Sequence, residues 1–267
     1  MTSLGRSITE TATDRPDETA LVFADGDAPP RSYTWGELDR RSNQIARLLA
    51  DHGLGQGGVV GVALSNSPEH VLSTIAGWKV GACVVPLRWD LPTWERDRVL
   101  AVLDPTVLVA DWTDAPYPAL GPSELAAAEA LDDGELPDRV PNPATGIATG
   151  GSTGTPKIVI RATPGERDAW VPLADRRLLR HERNVHLVAS PLYHTNGFVL
   201  GQSALLCGDQ VVLMARFDPA LVLDLIEQYR VDAVTMVPTM LARIARVPGV
   251  AERDFSGLSY VRAGGGP

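Results

Sequence analysis

The sequence predicts an α/β protein in which mostly parallel sheets are flanked by helices. In its first half, apolar runs predict strands at 59–64, 82–85 and 106–110, and helix patterns lie between them at 67–80 and 93–103. Each helical segment is long enough to return the chain to the starting edge of a sheet, as βαβ units require. With 267 residues, 44% of them hydrophobic and 21% charged, the chain can bury a core as one large domain or two small ones.

The first predicted helix begins at Thr34, because Thr34 and Glu37 form the S/T-x-x-E capping-box pattern. Apolar residues recur at helical spacing from Leu38 to Leu49, and Gly53 ends the helix. The glycines at 53–57 suggest a dinucleotide-binding loop, but they follow a helix and not a strand. We therefore interpret them as a C-cap and a turn.

The second helix has three consecutive start signals. Ser67 suits the N-cap, Pro68 the first helical position and Glu69 the first turn. We expect this helix to run to about Val80 and to end at Gly81.

The second half of the chain continues the alternation after an exposed linker at 132–143, which is rich in Asp and Pro. Helices are predicted from Gly165 to about Leu179, from Asp218-Pro219 onward and, briefly, from Pro238. Further strands are predicted at 184–189, 208–213, 233–237 and 258–262. The apolar face of the helix after Asp218 is predicted to be core and consists of Leu221, Val222, Leu225, Ile226 and Tyr229.

One glycine-rich stretch concentrates groups that bind phosphate. Its glycines let successive backbone N–H groups form an anion-binding concavity, its hydroxyl residues add donors, and its lysine adds a positive charge. A β-branched run at 158–160 follows and predicts a strand. We interpret the stretch as a loop that grips a polyphosphate, and its residues are Thr149, Gly150, Gly151, Ser152, Thr153, Gly154, Thr155, Pro156 and Lys157.

Three other interpretations of this stretch have to be weighed against the polyphosphate loop. The P-loop pattern fails because Thr155 and Pro156 separate the last glycine from Lys157. The pattern G-x-S-x-G, the nucleophile elbow of serine hydrolases, is matched around Ser152, and histidines at 181, 186 and 194 could complete a triad. That elbow requires a helix after the serine, whereas a strand is predicted. A plain turn explains the glycines but not the lysine beside four hydroxyl groups.

A second candidate segment, Pro191 to Phe198, is predicted as a loop that follows a strand and carries His194 and Asn196. Open α/β sheets bind ligands beyond the carboxyl ends of their strands. His194 is equally well explained as a turn histidine bonded to backbone. The chain finishes with a glycine run after its last predicted strand, where a flat ligand could lie against exposed backbone. That run consists of Gly264, Gly265, Gly266 and Pro267.

Composition limits the partners and the location. The net charge of −9 and the lack of a basic tract argue against nucleic acid as a partner. Cys83 and Cys207 lie in apolar sequence and suit buried thiols in a reducing cytoplasm. The N-terminus lacks the apolar region of a secretion signal, and no apolar run is long enough to span a bilayer. A homo-oligomer is compatible with the sequence, which carries no signal for the oligomeric state.

Together these motifs resemble the adenylate-forming, AMP-binding superfamily, which includes acyl- and aryl-CoA synthetases, luciferases and nonribosomal adenylation domains. Residues 149–157 look like its phosphate loop, [ST]-[SG]-G-[ST]-T-G-x-P-K, and 191–194 its aromatic/histidine gate. Residues 264–267 resemble its adenine motif, G-G-A-P. The segments 78–82 and 237–239 also occur in the family's order, so the resemblance extends from about residue 8 to the end.

The resemblance implies a two-step reaction of an acid–CoA ligase. A carboxylate attacks the α-phosphate of ATP, giving an acyl adenylate and pyrophosphate, and the thiol of coenzyme A then takes the acyl group. Residues 149–157 would hold the β- and γ-phosphates, and 264–267 would line the adenine. His194 would face the carboxylate or gate the acyl pocket. The acyl pocket is expected to include His194, Asn196, Phe198 and Val237.

Two departures from the family pattern shape the expectations. Ile158 replaces the usual glycine, as in some bile-acid and fatty-acid CoA ligases, so fatty, bile and aryl acids all stay open. The chain also stops about halfway along the family's length, before the motif that holds Mg²⁺ and before the C-terminal catalytic domain. The chain alone is therefore expected to bind nucleotide weakly and to turn over little or nothing.

The resemblance also implies an incomplete N-terminal domain with two similar subdomains, one of about residues 59–180 and one of 1–58 with 181–267. Two other functions stay open. The chain could load a carrier protein instead of coenzyme A, or it could be a truncated, inactive nucleotide-binding remnant.

Overall fold

A computed structural model describes residues 2–149, 156–171 and 182–264, and there the chain forms an α/β structure built on two main sheets. In the larger sheet every neighbouring pair of strands is parallel except β1 (Thr19–Ala24) and β2 (Arg31–Thr34), which are antiparallel. In spatial order its strands are β12 (Tyr260–Ala263), β11 (Ala233–Met236), β9 (Val185–Val188), β10 (Gln210–Met214), β1 (Thr19–Ala24) and β2 (Arg31–Thr34).

The smaller sheet is parallel throughout, and a separate antiparallel hairpin is attached to it. The Thr145 hydroxyl, just before the hairpin, donates a hydrogen bond to the Val84 carbonyl at 2.6 Å. The sheet's strands in spatial order are β4 (Cys83–Pro86), β3 (Val59–Ala63), β5 (Val107–Ala110) and β6 (Ala119–Leu120). The hairpin strands are β7 (Gly146–Thr149) and β8 (Lys157–Ile160).

Helices connect the strands and cover the sheets. The α/β fold class with mostly parallel sheets is therefore confirmed. The α-helices of the described residues are α1 (Leu4–Asp14), α2 (Trp35–Asp51), α3 (Pro68–Lys79), α4 (Thr93–Leu103), α5 (Pro122–Ala127), α6 (Arg167–Trp170), α7 (Thr195–Leu206), α8 (Pro219–Tyr229) and α9 (Pro238–Ile244). None of them is both long and apolar enough to cross a membrane.

The helices with strong local signals begin where the sequence predicts. Thr34 caps α2 through a complete capping box with Glu37, and α4 has its predicted bounds. Ser67 accepts a hydrogen bond from the backbone N–H of His70 at the start of α3. Asp218 caps α8 through the backbone N–H groups of the residues at 220 and 221. Short polar caps thus mark the starts of α2, α3 and α8, whereas α4 begins after Pro92 without a side-chain cap.

Aromatic rings from three helices meet in the core. Trp78 of α3 packs edge-to-face on Trp170 of α6, with 5.2 Å between ring centroids, and on Phe198 of α7 at 6.2 Å. All three side chains are fully buried. The Trp78 indole N–H also donates to the Ala144 carbonyl at 2.9 Å, just before the hairpin. Burying one such ring stabilises the fold by roughly 2–3 kcal/mol. Through the hydrogen bond from Trp78 to Ala144, the cluster also holds the segment just before the hairpin.

Buried polar groups join α2 to α3. The Lys79 ammonium lies 2.7 Å from a carboxylate oxygen of Asp39 and 2.6 Å from the amide oxygen of Asn43. Burial lowers the pKa of Lys79 to about 8, and Asp39 opposes that change. Cys83 is buried as expected, which raises the pKa of its thiol to about 11, whereas Cys207 is partly exposed.

The structure differs from the predictions in several places. Pro191–Phe198 is not all loop, because α7 already begins at Thr195. The linker at 132–143 has no helix or strand, but α2 holds it, since Arg47 donates to the Gly134 carbonyl at 3.0 Å. The helix predicted from Gly165 is described only at Arg167–Trp170, and residues 172–181 lie outside the described ranges. The sequence analysis did not identify α1, α5, α7, β1, β2, β6 or β7.

Candidate functional site

The hairpin brings the two ends of the glycine-rich stretch together. Thr149 at the end of β7 pairs with Lys157 at the start of β8, and both are exposed. The Thr149 hydroxyl is 3.4 Å from the Lys157 carbonyl. The two ends of the stretch therefore lie side by side, Thr149 at the end of β7 and Lys157 at the start of β8. Six of its predicted ligand-binding residues, Gly150, Gly151, Ser152, Thr153, Gly154 and Thr155, lie outside the described ranges.

The segment after this loop does not support a nucleophile elbow. The elbow needs a helix that starts at the serine, whereas the described chain resumes at Pro156 and forms strand β8 from Lys157 to Ile160. Of the candidate histidines, His186 lies within β9, where its Nε2 is 3.1 Å from a carboxylate oxygen of buried Asp209. His181 lies outside the described residues. The predicted strand at 158–160 is confirmed.

His194 lies at the N-cap of α7, shortly after the carboxyl end of β9. Its exposed ring tilts against Tyr193, with 4.4 Å between ring centroids. Its side chain makes no capping hydrogen bond to the helix. Partial removal from water lowers the pKa of His194, and the positive charge of Arg88 lowers it further. The ring is therefore mainly neutral near pH 7 and can accept a proton or a hydrogen bond.

A cavity of about 440 Å³ opens beside His194 at the start of α7. Three of the four predicted acyl-pocket residues line it, namely His194, Asn196 and Val237. Its volume falls within the range of ordinary small-molecule sites. The N-terminal end of α7 faces it, and a helix N-terminus favours negative charge. The cavity can thus receive a small acid with its carboxylate toward the helix.

Phe198, the fourth predicted pocket residue, does not line this cavity. Its side chain is fully buried, with its ring 6.4 Å from the ring of His70 and 6.2 Å from that of Trp78. The prediction assumed a loop at this position. Because α7 begins at Thr195, Phe198 instead lies on the helix face that packs into the core.

A smaller cavity of about 140 Å³ joins the hairpin to the histidine. Thr149 and Pro156 line it from the glycine-rich stretch, and Tyr193 and His194 line it from the turn before α7. His194 therefore borders both cavities. Residues from both ends of the glycine-rich stretch and from the turn before α7, 37 residues or more apart in the sequence, therefore line one space.

The final glycine run begins close to the same helix. Gly264 follows β12, and its N–H donates to the Met236 carbonyl at 3.0 Å. A Cβ atom at Gly264 would lie 3.5 Å from the amide nitrogen of Asn196. The run therefore starts at the edge that carries Asn196 and Val237. Gly265, Gly266 and Pro267 lie outside the described ranges.

Comparison with known proteins identifies the family. The family model of the AMP-binding enzymes matches residues 8–267. The chain belongs to the AMP-binding enzyme family. It is thus related to enzymes that form acyl adenylates, as the resemblance of its motifs implied.

The relatives of this AMP-binding chain include acid–CoA ligases. It is 34% identical to the feruloyl-CoA synthase of Amycolatopsis sp over 88% of its own length and 50% of that protein. The O-succinylbenzoate coenzyme A synthetase of Bacillus subtilis, solved with the acyl-adenylate intermediate, matches with a TM-score of 0.83 and 26% identity. That match covers 98% of this chain and 54% of the synthetase.

The N-terminal domain of FACL13 from Mycobacterium tuberculosis shares the fold, with a TM-score of 0.83 at 23% identity over all of this chain and 71% of that one. The chain spans about half the length of the curated relatives it matches. The predicted fold of an N-terminal adenylate-forming domain is therefore confirmed.

Arg88 is a charged residue near His194 that was not predicted from the sequence. Arg88 follows β4, lines the smaller cavity and acts electrostatically on His194 and Tyr193. Its guanidinium is held by Asp90, with Nε 2.5 Å from a carboxylate oxygen. The only local signal was its position just past a strand end, where ligand-binding groups gather.

The described part of this AMP-binding chain has no cluster of side chains suited to binding a metal ion. Among residues 2–149, 156–171 and 182–264, no group of three or more His, Cys, Asp or Glu side chains could hold a metal ion.

Proposed function

We propose that the chain carries the ATP-binding and acid-binding part of an AMP-forming carboxylic acid–CoA ligase. The acid's carboxylate attacks the α-phosphate of ATP, pyrophosphate leaves, and coenzyme A then takes the acyl group from the adenylate. Residues 149–157 hold the β- and γ-phosphates, and 264–267 line the adenine. His194 faces the carboxylate, and Asn196 and Val237 line the acyl pocket.

One observation carries this proposal: the ends of the phosphate loop and His194 border the same small cavity. Adenylation joins the acid to the α-phosphate, so the phosphate grip and the acid pocket have to lie side by side. His194 also borders the larger cavity and therefore occupies the junction between them. Arg88 lines the smaller cavity together with Glu95, and Lys157 follows the lining residue Pro156 at the start of β8. In this proposal, Arg88 and Lys157 supply the positive charge that stabilises charge developing on the leaving pyrophosphate.

We propose an aromatic acid as the substrate. The support comes from the relatives named above, one a feruloyl-CoA synthase and one an O-succinylbenzoate CoA synthetase. The cavity beside His194 has both apolar and polar walls, with Pro191, Val237 and Met240 on the apolar side. Fatty and bile acids, suggested by Ile158, serve as competing substrates in the test.

We also propose the discontinuous division into subdomains of about 59–180 and of 1–58 with 181–267. Support comes from the sheets, since the six-stranded sheet takes its strands from 19–34 and 185–263, and the four-stranded sheet from 59–120. The site lies where the hairpin of one group approaches the turn before α7 of the other.

Two measurements on this chain test the function. Isothermal titration with ATP detects binding, and carboxylate-dependent pyrophosphate exchange detects adenylation. Exchange stimulated by ferulate or O-succinylbenzoate more than by dodecanoate or cholate supports an aryl-acid ligase. The opposite order contradicts the aromatic assignment, and ATP binding without any exchange favours an inactive nucleotide-binding remnant.

The thiol acceptor needs a separate assay. Coenzyme A is expected to release the acyl adenylate as an acyl-CoA thioester, detected by mass spectrometry. Adenylate that forms but reacts only with the phosphopantetheine arm of a carrier protein would contradict the assignment to coenzyme A. Labelling of Ser152 by a fluorophosphonate probe would contradict the ligase and favour a hydrolase.

A further inference from the structure

Asn66 connects the two sheets next to the proposed site. It lies between β3 of the smaller sheet and the N-cap of α3, and its side chain is 7% exposed. Its amide nitrogen donates to the Ser190 carbonyl at 3.1 Å and to the Met214 carbonyl at 2.9 Å. Its amide oxygen accepts from the Leu192 backbone N–H at 2.8 Å. All three partners lie at the carboxyl ends of strands in the larger sheet, since Ser190 and Leu192 follow β9 and Met214 ends β10.

This set of contacts requires a carboxamide. Asparagine offers two N–H donors and one acceptor on a single short side chain, and here both donors and the acceptor are used. Aspartate has the same shape but no donor near neutral pH, so it would place a charge against two carbonyl oxygens. The contacts span 124 to 148 positions of sequence, so they act between distant segments and not within a local turn.

The turn that Asn66 holds leads directly to His194. Leu192 is buried, and the His194 N–H donates to the Pro191 carbonyl at 3.1 Å. On its other side the turn packs against Gly197 of α7, where a Cβ atom would lie 2.3 Å from the Pro191 carbonyl oxygen. The turn is therefore clamped between Asn66 and the first turn of α7.

We propose that Asn66 is a positioning residue, which fixes the turn at 190–192 and thereby aims the His194 ring between the two cavities. Asn66 does not line either cavity, so it acts through the turn and not on the ligand. The inference rests on the proposed function only for what His194 does. The clamp itself is a feature of the fold and can be tested without any ligand.

The test compares Asn66→Ala and the milder Asn66→Ser with Ile45→Val, a buried control in α2 away from the site. Hydrogen exchange measures the Leu192 amide, and NMR titration follows the His194 ring, assigned with His194→Gln. In the Asn66 variants, the Leu192 amide hydrogen is expected to exchange about tenfold faster than in the control at matched global stability. The pKa of His194 should rise toward its ordinary value as its ring becomes more hydrated.

The outcomes separate this inference from the proposed function. An unchanged His194 titration, or Leu192 exchange no faster than in the control, overturns the positioning role even if the wild-type chain is an active ligase. A changed titration supports it even if the chain shows no exchange of pyrophosphate. Where pyrophosphate exchange is measurable, the Asn66 variants are expected to lose about ten- to hundredfold in kcat with little change in KM for ATP. A loss confined to KM for ATP would contradict the role.

Discussion

Substitution of His70 should remove a large part of the acid sensitivity of the fold. His70 lies in α3, is fully buried and packs edge-to-face on Phe198. Neither ring nitrogen has a hydrogen-bond partner within the described part of the chain. Burial lowers the pKa of His70 from 6.5 to about 4, so the folded protein keeps the ring neutral.

The sign and size of the effect follow from linkage. Between pH 6.5 and 4 the unfolded chain binds a proton that the folded chain refuses, so the free energy of unfolding falls as the pH falls. The full stabilisation is present above pH 6.5 and is worth about 3 kcal/mol relative to pH values below 4. About 2 kcal/mol of it should be lost between pH 7.5 and pH 5.

Urea unfolding at both pH values measures this loss. The wild-type chain and His70→Phe are compared, with Ile75→Val as a control that trims the same helix without changing a titratable group. The difference in unfolding free energy between His70→Phe and wild type should move by about 2 kcal/mol in favour of the variant on acidification. The control's difference should stay constant. An equal difference at pH 7.5 and pH 5 for His70→Phe would refute a neutral, unpaired buried imidazole.

Two other substitutions probe the start of α7. Phe198→Ala should destabilise the fold by about 3–5 kcal/mol in urea unfolding, because it empties a core site beside Trp78; a near-wild-type midpoint would instead support the pocket position predicted from the sequence. Gly197→Ala should destabilise by more than about 1 kcal/mol, because its Cβ would lie 2.3 Å from the Pro191 carbonyl oxygen. Gly201→Ala, in the same helix but with its nearest neighbour at 3.3 Å, is the matched control, and equal thermal shifts in both would disprove the clamp.

Local signals predicted much of the architecture. The capping box at Thr34 and Glu37 and the Ser-Pro-Glu start at 67–69 act within a few residues, so they place α2 and α3 without knowledge of the fold. Strand β1 depends instead on pairing with β10, almost two hundred residues later. The turn residues at 25–30 that follow its apolar run indicate only the neighbouring hairpin partner β2, and no local signal reveals the distant parallel partner.

The candidate site was predicted in its chemistry but not in its geometry. The glycine-rich stretch and His194 were recognised as motifs, yet their shared cavity arises only from the packing of the hairpin against the turn before α7. The segment 191–198 was predicted as a loop, whereas in the fold Gly197 is a helical residue of α7 with no room for a side chain. Asn66 gave no sequence signal, because all its partners lie more than a hundred positions away.

The grip of the glycine-rich stretch on the triphosphate tail is the claim on which the account most depends. Isothermal titration of ATP and of AMP, on the wild-type chain and on Lys157→Met, tests it directly. The wild type is expected to bind ATP more tightly than AMP. Lys157→Met is expected to lose about ten- to a hundredfold in ATP affinity with little change for AMP, since a hydrogen bond to a charged group contributes about 1.5–3 kcal/mol. Equal losses for the two nucleotides, or no preference for ATP in the wild type, would contradict it.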